Sequence, residues 1–212
     1  GRKAFFIRLQ GCPVKCAWCD SASTWHPQFV PKKVRKASAG ELADEAAAAR
    51  PEFVVLTGGE PCIHDLTALL AAMASVGLKV HLETCGAYPI AAGFAWVTVS
   101  PKWAKPPLAD ALARADEVKL IVEAPDSITR WTDAVGGKWL SPNVWLHPEW
   151  SRRADSAVLR TITEQVKQGG VESEELVLSE IAAWLEDTWQ ADTRYVFGPG
   201  STLHGLAHNL GL

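Results

Sequence analysis

The sequence predicts an α/β fold, a partial open (β/α)6-type barrel of parallel strands. Three observations lead there. Short apolar runs alternate with helical stretches, the pattern of parallel strands joined by helical crossovers. The chain has 212 residues, enough for one well-buried domain but short of the ~250 typical of a closed eight-stranded barrel. Three thiols, Cys12, Cys16 and Cys19, follow the first apolar run, so chemistry gathers at a strand's carboxyl end.

The predicted strands are Ala4–Leu9, Phe53–Leu56, Lys79–Glu83, Trp96–Ser100, Glu117–Val122 and Val144–Leu146. The first reads AFFIRL, after which Gly11 and Pro13 break regular structure and leave the thiols on a loop. The predicted helices are Ala39–Ala49, Asp65–Val76, Leu108–Arg114, Ser127–Val135 and Ser156–Gln168. Ser38 caps the first, with Glu41 completing a capping box. Gly77 ends the second. Ser21–Lys36 carries two prolines and little periodicity, and reads as a loop. Its Lys32, Lys33, Arg35 and Lys36 form a basic patch, the usual solvated face or a contact for an acidic partner. The whole of 1–212 reads as one domain, with 169–212 an atypical extension. Within it Ser173–Asp187 reads as an acidic helix, and Gly198–Leu212 is glycine-rich and weakly patterned.

Composition excludes several function classes. A net charge of −3 gives no sign of general nucleic-acid binding. No apolar stretch reaches the roughly 18 residues of a membrane span, and GRKAFF shows no signal-peptide pattern. Five cysteines, three of them clustered, argue against a disulfide framework. A cytoplasmic location is expected. The ten tryptophans read first as packing, with some at a pocket or subunit interface.

Cys12, Cys16 and Cys19 form a CxxxCxxC array of soft ligands suited to zinc, copper or an iron–sulfur cluster. A closed zinc site wants four ligands, and there is no second CxxC. A four-iron cluster on three cysteines leaves one iron open to a small chelating ligand. Further motifs stand at strand ends. Thr57–Pro61 is TGGEP, whose double glycine permits close backbone approach. Glu60 reads as a residue that shapes this loop. Glu83–Gly86 is ETCG, and Glu83 is either a ligand contact or a carboxylate bonded to the loop. Ser100–Lys102 is SPK, which alone would be an exposed turn. Lys119 lies in the apolar run DEVKLIV, where an unpaired charge is costly. It needs a partner such as Glu83 or points into the site, and a structural ion pair is the expected role. Leu146–Trp150 is LHPEW. Cys62 and Cys85 read as small buried hydrophobes.

On these residues the chain resembles the radical S-adenosylmethionine enzymes, and among them the 7-carboxy-7-deazaguanine synthase family. The resemblance covers roughly Lys3 to Ala154. It implies the barrel of that superfamily and a 4Fe-4S cluster on Cys12, Cys16 and Cys19, whose open iron binds S-adenosylmethionine. It also implies cofactor contacts at Trp18, Asp20, Gly59, Ser100, Pro101 and Lys102, with His147, Pro148, Glu149 and Trp150 against the adenosine. Arg8 would pair with the substrate carboxylate, Thr57 would contact the substrate, and Ser21 would bind Mg2+. No protein side chain is assigned as catalytic, because the cofactor supplies the radical.

The implied reaction contracts the ring of 6-carboxy-5,6,7,8-tetrahydropterin to 7-carboxy-7-deazaguanine with loss of ammonia, on the way to queuosine or other deazapurines. The implied partners are a flavodoxin-type reductant and a second copy in a homodimer. The family's LQGEG segment before the arginine has no counterpart in this sequence. STLHGLAHNLGL stands where the family commonly has Q(x)HK, so no residue is assigned in either place. Two other readings share the thiols: an activase of a glycyl radical enzyme, and a non-catalytic zinc or iron–sulfur module.

Overall fold

Runs rich in valine, isoleucine and aromatic residues favour extended backbone, and all six predicted strands form. The computed structural model describes residues 2–136 and 143–168. The strands are β1 (Ala4–Leu9), β2 (Phe53–Gly58), β3 (Val80–Thr84), β4 (Trp96–Val99), β5 (Glu117–Val122) and β6 (Val144–Pro148). Each pairs in parallel with the next, in the order β1-β2-β3-β4-β5-β6. Crossovers of one hand in one direction put the helices on a single face, as in a barrel left open.

Helices α1 (Ala39–Ala49), α2 (Thr67–Ser75), α3 (Ala109–Arg114) and α4 (Ser127–Ala134) lie in the crossovers, and α5 (Ser156–Gln168) follows β6. The β3–β4 connection has no helix. The Ser38 capping box is complete: Glu41 N–H donates to Ser38 Oγ at 3.2 Å, and Ser38 N–H donates to Glu41 Oε2 at 2.7 Å.

Boundaries shift for local reasons. β2 runs on to Gly58 because Thr57 and Gly58 still pair with Arg8 and Leu9. β6 runs on to Pro148, beside Ile121 and Val122. α2 starts at Thr67 because the Asp65 carboxylate turns back to accept from the Thr67 N–H at 3.0 Å. Three single-turn 3-10 helices, Ala22–Thr24, Pro61–Ile63 and Trp150–Arg152, are too short to leave a periodic signal.

Alternation along each strand separates two faces. Ile7, Leu56, Leu82, Val97, Val99 and Val118 are buried in the hydrophobic core. The opposite face is polar: Arg8 stands opposite Thr57, and Glu83, Thr98 and Glu117 are successive neighbours across β3, β4 and β5. Two compact units divide after Leu159. The sheet lies in the first. The acidic helix and the tail expected within 169–212 lie outside the described residues.

Replacing Ser38 by Ala removes the side-chain half of the cap and is expected to cost about 1 kcal/mol. Urea unfolding checks this as a lower midpoint at unchanged slope.

Candidate active site

Backbone hydrogen bonds seat the cysteine loop. Gly11 N–H donates to the Thr24 carbonyl at 2.7 Å, and Cys19 N–H to the Cys16 carbonyl at 3.2 Å. Lys15, with φ +54°, turns the chain between Cys12 and Cys16. The exit of β2 holds the loop from the other side. Gly59 N–H donates to the Leu9 carbonyl at 2.9 Å and Glu60 N–H to the Gly11 carbonyl at 2.8 Å. A Cβ on Gly59 would stand 2.0 Å from the Gly11 carbonyl oxygen. Only glycine lets these two loops touch.

Glu60 shapes the loop, as expected, from a buried position. Its Oε1 accepts from the Thr84 hydroxyl at 2.6 Å and the Cys62 N–H at 3.0 Å, and its Oε2 from the Cys85 N–H at 2.8 Å. The negative Glu60 carboxylate also disfavours ionisation of the Cys62 and Cys85 thiols. Burial, aided by Glu60, pushes the Cys62 thiol up to about 12. Burial and Glu60 likewise push Cys85 far above the ordinary thiol range. Both stay protonated at neutral pH, and protonated thiols are poor iron ligands.

A cavity of about 370 Å3 opens at the strands' carboxyl ends. Cys12, Cys16 and Cys19 line it together with Arg8, Trp18, Asp20, Ser21, Thr57 and Gly59. Ser100, Lys102, His147, Pro148, Glu149 and Trp150 complete the wall from β4 and β6. Pro101 is buried and does not line the cavity; it turns the chain between two residues that do. Thr98 and Ile121 also line it. Each sits two residues from a lining residue, Ser100 just past the end of β4 and Lys119 within β5, so extended-chain periodicity would have found them.

The expected Lys119–Glu83 pair is absent from the ion pairs of the described residues. β4 separates their strands, about 9.6 Å at two strand spacings. Glu83 Oε2 instead accepts from the neighbouring Thr57 hydroxyl at 2.8 Å. Lys119 lines the cavity. Lys102 Nζ donates to the Ser100 carbonyl at 2.8 Å and to its hydroxyl at 2.6 Å, and lies 5.4 Å from the Trp18 ring centre. Burial lowers the Lys102 pKa, while the nearby Cys16 raises it. Burial raises the Cys16 thiol, Lys102 pulls it down, and Cys19 and Cys12 push it up. The three thiols and the ammonium therefore share one electrostatic neighbourhood. Burial, and then Lys119, lowers His147, favouring the neutral imidazole. At the cavity edge Arg8 Nη1 donates to Ser21 Oγ at 2.8 Å, and Ser21 Oγ donates to Asp20 Oδ1 at 3.0 Å.

Comparison with known proteins agrees with this geometry. Residues 6–132 match the family model of the Radical SAM superfamily. The chain is 42% identical over 156 residues to the 7-carboxy-7-deazaguanine synthase of a Synechocystis strain, covering 73% of this chain and 72% of that one. The chain belongs to the 7-carboxy-7-deazaguanine synthase family of radical S-adenosylmethionine proteins. The synthase of Flavobacterium psychrophilum is 32% identical over 155 residues, covering 73% and 71%. The crystal structure of QueE from Escherichia coli superposes with a TM-score of 0.62 at 31% identity, covering 79% and 82%. Family membership takes the place of the activase and binding-module readings.

The residues present fit the family's iron–sulfur cluster. Three free cysteines face one cavity beside the half-buried Lys102 ammonium. Among the described residues no three His, Cys, Asp or Glu side chains converge on a single-ion position. Three thiols on one short loop are the kind of donor set that a four-iron cluster takes. After anaerobic reconstitution, Cys16→Ala is expected to lose bound iron and labile sulfide. Cys62→Ala and Cys85→Ala should keep wild-type contents of both.

Proposed function

We propose that the chain carries out the reaction for which its relatives are named. It would convert 6-carboxy-5,6,7,8-tetrahydropterin to 7-carboxy-7-deazaguanine with loss of ammonia. The observation that carries the reading is the meeting of three cysteines, Arg8 and the Ser100–Lys102 turn in one cavity. Cys12, Cys16 and Cys19 would hold the cluster, which with S-adenosylmethionine would supply a 5′-deoxyadenosyl radical.

The protein's own part is positioning and exclusion of water. Arg8 offers a planar fork for the substrate carboxylate. Thr57, fixed by Glu83, presents a hydroxyl oxygen toward the substrate. Ser100 and Lys102, beside Trp18 and the Gly59 loop, hold the cofactor. Trp150 stands 74% exposed at the cavity edge, with the Arg153 guanidinium 4.2 Å from its ring centre. It offers an aromatic face to the adenine, flanked by His147, Pro148 and Glu149. Ser21 supplies a hard oxygen donor suited to Mg2+, with substrate and water completing the shell.

The reading extends to partners. Lys32, Lys33 and Lys36 form the surface for an acidic, flavodoxin-type reductant, while Arg35 is already paired with Glu45. A homodimer in a reducing cytoplasm completes it. No described helix is long and apolar enough to cross a membrane.

The test is an anaerobic assay with reconstituted cluster, reductant, Mg2+, S-adenosylmethionine and the pterin, read by mass spectrometry. Formation of 7-carboxy-7-deazaguanine is expected. 5′-Deoxyadenosine without it would refute the substrate. Arg8→Ala should raise the KM for pterin about tenfold or more, the scale of a lost charge-assisted pair, while uncoupled 5′-deoxyadenosine formation persists.

A further inference from the structure

We propose that Arg8 and the divalent cation are alternative occupants of one position beside Ser21, and that Asp20 orients the hydroxyl for both. The inference rests on the reading of Ser21 as the Mg2+ ligand.

The Ser21 hydroxyl has one proton and two lone pairs. Its proton is committed to Asp20 Oδ1 at 3.0 Å, so its oxygen turns lone pairs outward. Arg8 Nη1 takes up one of them at 2.8 Å. A metal ion ligated by Ser21 needs a lone pair from the same oxygen. A guanidinium and a doubly charged ion repel at this spacing, so Arg8 must leave when the ion arrives.

Arg8 is placed to leave. It sits near the end of β1, an edge strand, and its side chain is exposed. Among the described residues neither Arg8 nor Asp20 makes an ion pair with another group. A ligand carboxylate is a better partner for Arg8 than a neutral hydroxyl. A carboxylate-bearing substrate would draw Arg8 away and free Ser21 for the cation. Linkage makes the effect reciprocal: the cation, by displacing Arg8, favours the carboxylate. Asp20 serves as a positioning residue. It holds the hydroxyl proton and supplies the negative charge that attracts whichever cation is present.

The test uses the full chain with its cluster in the oxidised, EPR-silent state. Mn2+ is the probe, and free ion is counted from its EPR signal, with and without 6-carboxytetrahydropterin. In the absence of pterin, Arg8→Ala is expected to bind Mn2+ about fivefold or more tightly than wild type. Arg8→Gln, which keeps bulk without charge, should shift affinity the same way. Asp20→Asn keeps the shape and an acceptor oxygen but should weaken Mn2+ binding in both conditions. Pterin should tighten Mn2+ binding in wild type by a larger factor than in Arg8→Ala. Equal or weaker Mn2+ binding by both Arg8 variants without pterin would overturn the exchange. A separate outcome tests the underlying reading: if Ser21→Ala leaves Mn2+ affinity unchanged with pterin bound, the ion does not use Ser21 at all.

Discussion

The carboxylate of Glu60 ties together the three strand ends on which the site depends. It is 1% exposed, and a buried carboxylate left without donors costs several kcal/mol. Here Thr84, Cys62 and Cys85 supply the donors, while the Glu60 amide holds the carbonyl of Gly11. One residue thus joins the cysteine loop after β1, its own loop after β2, and the exit of β3. Moving any of these apart would leave buried polar groups unpaired. The neighbouring Gly59 adds the steric half of the constraint, since its missing side chain is the space into which the Gly11 carbonyl fits.

The same carboxylate acts on two of the five cysteines, Cys62 and Cys85. Cys85 lies in a cluster with Val14 and Ala87, with Cys12 and Cys16 packed against it, so distance alone does not exclude it from iron. Its proton is held by burial and by Glu60. Burial raises the Cys16 thiol as well, and Lys102 is the chief influence that holds that rise down. Lys102 lowers Cys85 too, but there burial and Glu60 outweigh it.

The sheet divides the cavity's polar groups between two walls. Arg8, Thr57 and Glu83 come from β1, β2 and β3. Ser100, Lys119 and His147 come from β4 or its exit, β5 and β6. Parallel register keeps each group at a fixed height along its strand. The cysteine loop closes the carboxyl ends of both. This division follows from an open barrel with its strands in chain order.

Much of the architecture was legible because it is written in local patterns. All six strands follow apolar runs, the capping box of α1 follows Ser38 and Glu41, and the three thiols announce soft-metal chemistry by spacing. The 3-10 turns and the last residues of β2 and β6 were not, because they depend on a neighbouring strand rather than on periodicity. Lys119 shows the limit most clearly. A charge inside an apolar strand demands a partner or a cavity, and one dimension does not say which. Strand order places β4 between Lys119 and Glu83, so the ion pair is lost and the ammonium faces the cavity. By itself the sequence determined which candidate ligand residues stand at strand ends, since ligand type and hydrophobic period are local properties. Only the tertiary structure decided which of them meet. The need for glycine at position 59, the protonation of Cys85 and the bond between Arg8 and Ser21 all arise from segments far apart in the chain and brought together by sheet order.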